Sequence, residues 1–389
     1  MIFENTEVAF KLRTDRELKR AFMMFKLISY SSLVKIGNFI IPSAMKAGIP
    51  VGWLVKPTVY KQFCGGESIP ECMKVVNNLG LMNVRSILDY SVEGKENDED
   101  IEIALQETLQ TIKNAGESPN IPFAVFKPTA FIKTHALELL SCNEKVDEKV
   151  AEEGIKFHRR VEKLCNTAHE IDISILIDAE DSFYQPYIDK VVLEMMGKFN
   201  KKRAIVYNTY QMYRWDRLGV LKNDLETAVR NGFYLGAKFV RGAYMERERK
   251  RAKEMGYTDP IHADKESTDR DYDEALRFSV EHIDTISVFN GTHNEKSSSL
   301  LTELMNEYKL SKNDPRIWFS QLYGMSDHIS FNLAKEGYNV CKYLPYGPVK
   351  HLLPYLLRRV EENTSVSGQT SRELSLIIKE LDRRKKYKL

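Results

Sequence analysis

Cysteine is scarce in this chain and has no pattern. The five cysteines (Cys64, Cys72, Cys142, Cys165 and Cys341) are odd in number and nowhere spaced CxxC, which argues against a disulfide framework or a zinc knuckle and for a reducing compartment. Charge of one sign is missing as well. Lysine and arginine number 57 against 55 acidic residues, mixed along most of the chain, so no field argues for nucleic acid as a partner. No apolar run is long enough to span a membrane, because IGNFIIPSAMKAGIPVGWLV is interrupted by Pro42, Lys46 and Pro50. The opening MIFENTEVAFKLRTDRELKR has the form neither of a signal peptide nor of an Arg/Ser-rich, acid-poor transit peptide, so the expected location is cytoplasmic. There is no GxGxxG to suggest a Rossmann-type nucleotide turn. No His-x-His follows the first predicted strand and the eight histidines are scattered, so a metal-dependent hydrolase is disfavoured and no metal is expected.

What is present is enough apolar sequence for a large core, 43% of 389 residues, either as two ordinary domains or as one barrel with an added helical segment. Residues 1–65 are apolar at helical spacing with interspersed Lys26, Lys35, Lys46, Lys56 and Lys61. They read as helices covering the main domain and ending at Gly65–Gly66, with a membrane-surface role as the alternative. A rhythm of short apolar runs and longer helical segments then begins. The runs are Val84–Asp89, Pro122–Lys127, Ile173–Asp178, Ala204–Asn208, Ala237–Arg241, Ile286–Asn290, Ile317–Gln321 and Asn339–Tyr343. Eight near-continuous apolar strands of this kind predict a (β/α)8 barrel over residues 66–365, and an open doubly wound sheet is the alternative. Residues 366–389 form a predicted amphipathic tail helix with a basic end, solvated or, alternatively, touching anionic lipid.

In such a barrel, functional side chains project from the C-terminal ends of the strands. Those positions carry Asp89 and Glu93, Lys127, Asp178, Gln211, Lys238 and Arg241, His293, Gln321, and Tyr343. So many polar groups together imply a polar cavity built around a ligand. In GPVKHLLPYLLRRVEEN, Tyr355, Arg358, Arg359 and Glu362 stand at i, i+3, i+4 and i+7 and share one helical face. Paired arginines beside an aromatic ring can clamp a carboxylate. The commoner fate of Arg-Arg on a helix is a solvated stripe, but apolar Leu352, Leu353, Leu356, Leu357 and Val360 flank this pair and embed it. Gly242 in KFVRGAY permits close backbone approach, with Lys238 and Arg241 nearby, and GTHN offers hydroxyl, imidazole and amide in succession. Together these could hold a phosphate or an electron-rich ring. Two rival readings remain: a Schiff-base aldolase with Lys127 as nucleophile, and a barrel kept as a binding or regulatory protein.

The segments FKPTA, IDAED, KFVRGAY, GTHN, FSQLYGM and KYLPYGPVKHLLPYLLRRVEEN resemble, in order, the successive signatures of the proline dehydrogenase family over roughly residues 80–365. The form resembles the stand-alone enzymes, since the chain has room neither for a fused aldehyde-dehydrogenase domain nor for a ribbon-helix-helix arm. The resemblance implies a distorted barrel with FAD bound non-covalently at its C-terminal face. It implies that Lys127, Arg358 and Arg359 bind the substrate carboxylate, that Tyr343 and Tyr355 pack on the pyrrolidine ring, and that Asp178 orders the polar side. Gln211, Lys238, Val240, Gly242, Thr292, His293, Asn294, Gln321 and Glu362 are implied to contact FAD, and Glu93 to be a gate closing onto Arg358. Two departures stand out: Lys238 replaces an arginine of many bacterial members, and Met245 replaces a tryptophan found beside the cofactor in some.

The implied reaction oxidises L-proline to 1-pyrroline-5-carboxylate, the first step of proline catabolism, by hydride transfer to flavin N5. Electrons would pass to a quinone-type acceptor, making the protein transiently peripheral at the inner membrane, and the product would go to a separate pyrroline-5-carboxylate dehydrogenase. Hydroxyproline dehydrogenases of the same fold are the alternative within the resemblance, and they carry a smaller residue at the place of Tyr343. Whether Asp178 accepts a proton or orients the arginine clamp is left open by the sequence.

Overall fold

A computed structural model describes residues 2–30, 52–90, 96–142, 145–365 and 369–387. Eight strands, all parallel to their neighbours, form one sheet: β1 (Val84–Tyr90), β2 (Phe123–Phe126), β3 (Ser174–Ile177), β4 (Val206–Gln211), β5 (Leu235–Val240), β6 (Ile286–Gly291), β7 (Ile317–Leu322) and β8 (Val340–Tyr346). The first strand pairs with the last, in register from Val84 with Val340 to Tyr90 with Tyr346. On its other side β1 lies against β2, where Ser86 N–H donates to the Asn120 carbonyl at 2.8 Å and Arg85 reaches the Asn120 side chain. The sheet therefore curls into a (β/α)8 barrel. An open doubly wound sheet is excluded, because its first and last strands would not be neighbours.

The strands are apolar on both faces because both are covered. β2 and β3, FAVF and SILI, are buried at every position. Outward-facing residues such as Ala124, Ile175, Val206, Phe239 and Val288 join the core under the surrounding helices. Inward-facing Ile87, Phe123, Val125, Leu176, Tyr207, Phe289 and Cys341 fill the barrel. Phe123 meets Tyr207, Phe289 and Trp318 edge to face at 5.7, 5.0 and 5.2 Å. The same inward row continues toward the C-terminal end as polar residues: Asp89 after Ile87 on β1, Thr209 and Gln211 after Tyr207 on β4.

Two strands, β4 and β8, run three residues past their predicted ends. β4 starts at Val206 and reaches Gln211, because Asn200 Oδ1 accepts from the N–H groups of both Ile205 and Val206 and holds the entry as a turn. β8 runs on to Tyr346 by pairing with the whole of β1, so Tyr343 lies inside the strand rather than at its end.

Outside the barrel, helix Asp15–Ile28 is started by a Thr14–Glu17 capping box and packs on the tail helix Gln369–Lys386. Leu18, Phe25, Phe63, Leu376 and Ile377 form a core with Leu352, Tyr355 and Leu356 of helix Val349–Ser365. The tail's arginines are not simply solvated. Arg372 and Lys379 pair with Glu4, Arg383 with Glu7, and Arg384 with Asp15. Residues 31–51, about a third of the predicted N-terminal helical cover, lie outside the described residues.

Candidate active site

At the C-terminal mouth of the barrel a cavity of about 440 Å³ is lined from nearly every strand. β2 and β3 each end one residue before a charge, so Lys127 and Asp178 emerge over the rim. Lys127 Nζ donates to Asp178 Oδ2 at 3.0 Å and lies 3.7 Å from Asp89 Oδ2. Lys238, inward on β5, makes an ion pair with the other Asp178 oxygen, and its ammonium sits 4.7 Å from the centre of the Tyr343 ring. The Tyr343 hydroxyl donates to Asp178 Oδ1 over a long 3.5 Å. One carboxylate thus gathers two cations and a phenol. Burial alone would raise the Asp178 pKa, but Lys238 and Lys127 overcome it and hold the group down at about 2. Burial lowers the Lys238 pKa, with Asp178 opposing.

The rest of the lining comes from the ends of β4 to β7 and the turns after them. Gly242 has φ +137°, and a Cβ there would stand 2.5 Å from the Tyr213 ring, so only glycine fits this turn. Arg241 just before it is fixed by Asp269 at 2.7 Å, Thr292 Oγ1 at 2.8 Å and Ser297 Oγ at 3.0 Å. Gln321 donates to the Thr292 carbonyl and accepts from Ser330, and Asn294 caps helix Glu295–Glu307 by accepting from Lys296 and Ser297 N–H. His293 lies 2.9 Å from Ser326 Oγ through Nδ1. Burial first, with Lys342 and Arg359 adding, lowers its pKa to about 3, so the imidazole is neutral.

Helix Val349–Ser365 closes the site. Tyr355 and Arg359 are buried, Arg359 Cζ lies 5.1 Å from the Tyr355 ring, and Arg358 Cζ lies 5.7 Å from the ring of Tyr244. Two cations on an embedded helix face, lining the same cavity as the ion-paired Asp178, suit a zwitterion. The fit to a larger polar ring system rests on two further atoms. Gln211 Oε1 and Ser320 Oγ, both on cavity-lining residues, are buried and find no hydrogen-bond partner among the described residues. Leaving such atoms unsatisfied costs about 1–3 kcal/mol each, which a ring edge with its own donors and acceptors would relieve.

The proline dehydrogenase family model matches residues 72–372. The chain belongs to the proline dehydrogenase family. It is 31% identical to proline dehydrogenase 1, mitochondrial, of Dictyostelium discoideum over 98% of this chain and 74% of that protein. It is 35% identical to the carbapenem antibiotics biosynthesis protein CarD of Pectobacterium carotovorum subsp. carotovorum over 83% of each. Hydroxyproline dehydrogenase of Xenopus laevis is 31% identical over 96% of this chain and 88% of that protein. Among solved structures, proline utilization A (PutA) from Bdellovibrio bacteriovorus, inactivated by N-propargylglycine, superposes with a TM-score of 0.73 at 18% identity. The match spans 92% of this chain and 38% of that one, and it supports the barrel fold. Membership makes this protein an oxidoreductase.

Of the residues singled out in the sequence, Lys127, Asp178, Gln211, Lys238, Val240, Gly242, Thr292, His293, Asn294, Gln321, Tyr343, Tyr355, Arg358 and Arg359 all line this one cavity. Glu93 and the side chain of Glu362 lie outside the described residues. Met245 starts helix Met245–Met255, is 42% exposed, and does not line the cavity. Sequence reasoning passed over Tyr244 and Ser320, which also line it. Tyr244 directly follows the glycine turn, a signal that could have been used. Ser320 had only its place in FSQLYGM, since a serine inside a strand is ordinarily structural.

Proposed function

We propose that this protein oxidises L-proline to 1-pyrroline-5-carboxylate with FAD as its bound cofactor, and passes the electrons to a quinone-type acceptor. The observation that carries the reading is the meeting, in one cavity, of the Tyr355–Arg359 helix face and the Lys127–Asp178–Lys238 cluster. Arg358, Arg359 and Lys127 would bind the substrate carboxylate through charge-assisted hydrogen bonds. Tyr343 and Tyr355 would cover the apolar edge of the pyrrolidine ring and exclude water from it. Lys238, Gln211, Val240, Gly242, Thr292, His293, Asn294, Gln321 and Glu362 would hold FAD, in keeping with the unsatisfied Gln211 Oε1. When bound, FAD supplies the hydride acceptor.

Asp178 is ionised and held by two ammonium groups, and at a pKa of about 2 it is too weak a base to take a proton near neutral pH. That favours an orienting role over proton transfer. Catalysis by this chain would then come from placement, with the neutral amine of the substrate fixed in a field set by Arg358, Arg359 and Lys127. A Schiff-base role for Lys127 is disfavoured, because its ammonium is tied to Asp178 and lies near Asp89.

Among the described residues no helix is long and apolar enough to cross a membrane, so contact with a quinone pool would be peripheral, and a separate pyrroline-5-carboxylate dehydrogenase would take the product. The visible spectrum of the purified protein tests the reading. Oxidised-flavin absorption that bleaches on adding L-proline is expected. A preparation that turns over proline with no flavin, bound or added, overturns it.

A further inference from the structure

The turn after β6 is tied, at two successive tail residues, to a helix outside the barrel. Arg372 donates to both carboxylate oxygens of Glu295, at 2.7 and 3.2 Å, and Glu295 also lies 2.9 Å from His328 Nε2. Next to it, the buried Glu373 carboxylate accepts from Ser326 N–H at 2.6 Å, and Ser326 Oγ lies 2.9 Å from Nδ1 of His293. Ser326 itself is fully buried at φ +50°, the left-handed region that a residue other than glycine occupies only when its surroundings hold it there. Glu295 and His293 bracket Asn294, whose side chain caps helix Glu295–Glu307. Both sides of one cavity-lining turn are thus fastened to Gln369–Lys386.

We propose that the tail helix Gln369–Lys386 is a positioning element of the cofactor site. Glu373 holds Ser326, Ser326 sets the orientation of the His293 ring through Nδ1, and Arg372 holds Glu295 on the other side of Asn294. The inference rests on the reading that Thr292, His293 and Asn294 contact FAD. The bond at Nδ1 chooses the direction in which Nε2 of the neutral ring points. A tail that merely braces the fold would stabilise the protein without influencing that choice.

The test compares Glu373→Ala, Glu373→Gln, Ser326→Ala and Arg384→Ala with wild type. FAD affinity is read by titration, and the histidine ring ¹⁵N resonances of FAD-free protein are assigned with His293→Gln. Glu373→Ala is expected to weaken FAD binding about ten-fold and to displace the His293 resonances. Glu373→Gln keeps a carbonyl acceptor for Ser326 N–H and should stay within about two-fold of wild type. Ser326→Ala keeps the backbone bond to Glu373, loses only the hydroxyl, and should still displace the His293 resonances. Arg384→Ala cuts bonds to Asp15 and to the Phe10 carbonyl at the far end of the helix, and should lower Tm with FAD affinity kept. Unmoved His293 resonances in both Ser326→Ala and Glu373→Ala overturn the proposal. So does an Arg384→Ala variant that loses FAD as Glu373→Ala does, since general loosening would then account for both. A wild-type protein that takes up no FAD refutes the functional reading instead, and the resonances alone then decide whether the tail sets His293.

Discussion

Lys127 donates from Nζ to Oδ2 of Asp178 across 3.0 Å, joining the end of β2 to the end of β3. Because Asp178 also faces Lys238, its loss would leave two buried ammonium groups near each other with less compensation. Asp178→Ala should lower the unfolding free energy by about 3 kcal/mol and reduce kcat/KM for proline by roughly a hundred-fold or more. Adding Lys238→Met should recover part of the stability and none of the activity. Urea denaturation and steady-state kinetics check both, and an Asp178→Ala enzyme of wild-type stability and rate would remove this carboxylate from its central place.

Arg358 and Arg359 differ in setting, Arg359 buried beside Tyr355 and Arg358 closer to Tyr244. A hydrogen bond to a charged group contributes about 1.5–3 kcal/mol, so either residue changed to Met should cost roughly ten- to a hundred-fold in kcat/KM for proline. Pyrrolidine, which lacks the carboxylate, separates clamping from folding: its slow turnover should be nearly the same in wild type and both variants. Equal losses on the two compounds would return the arginines to a structural role.

Asp224, on helix Arg217–Asn231 and bonded to Tyr210 of β4, tests the electrostatics away from the site. Burial raises its pKa from 3.8 to about 6, with Asp189 adding, against the hydrogen bond from Tyr210 at 2.7 Å. A raised carboxylate contributes stability that is complete below the unfolded value and is lost as pH rises through the folded one, here from about 4 to 6. Asp224→Asn cannot ionise and still accepts from Tyr210. It should exceed wild type by about 1–2 kcal/mol at pH 8, with the gap closing below about pH 4. Thermal unfolding across that range decides it, and a gap independent of pH would contradict the burial argument.

The barrel was legible because each strand is an apolar run bounded by a polar residue, and that residue is where chemistry sits in this architecture. Lys127 and Asp178 could be found from strand ends alone, and Arg358 and Arg359 from helical spacing. Their convergence could not, since it depends on closure of β1 onto β8 between Val84 and Tyr346. The exact reach of β8 was missed because a strand with Pro345 in it reads as ending earlier, although a partner as long as β1 carries the pairing past the proline. The Ser326–Glu373 bond was invisible for a different reason. It joins residues 47 apart through a backbone N–H, which leaves no side-chain pattern at Ser326 to read.

Tyr343 bears on substrate choice, and its corrected position sharpens the case. Lying within β8, it is held by a fixed backbone rather than a loop, and its side chain is pinned on several sides. Lys238 Nζ is 4.7 Å from the ring centre, Phe289 meets it edge-on at 6.2 Å, and the hydroxyl points to Asp178 Oδ1. A ring so placed cannot swing aside without disturbing Lys238 and Asp178 together. A substrate bearing an extra hydroxyl toward this wall must displace it, at a cost of about 1–3 kcal/mol in discrimination. The kinship with the Xenopus laevis hydroxyproline dehydrogenase, 31% identical, makes the comparison direct. Wild type should favour L-proline over trans-4-hydroxy-L-proline by roughly 10- to 200-fold in kcat/KM. Tyr343→Ser should narrow that gap mainly by losing proline activity, since removing the ring opens space while stripping Lys238 of its aromatic neighbour. Side-by-side kinetics on the two substrates check the claim, and comparable wild-type kcat/KM values would show that the ring is not the discriminating wall.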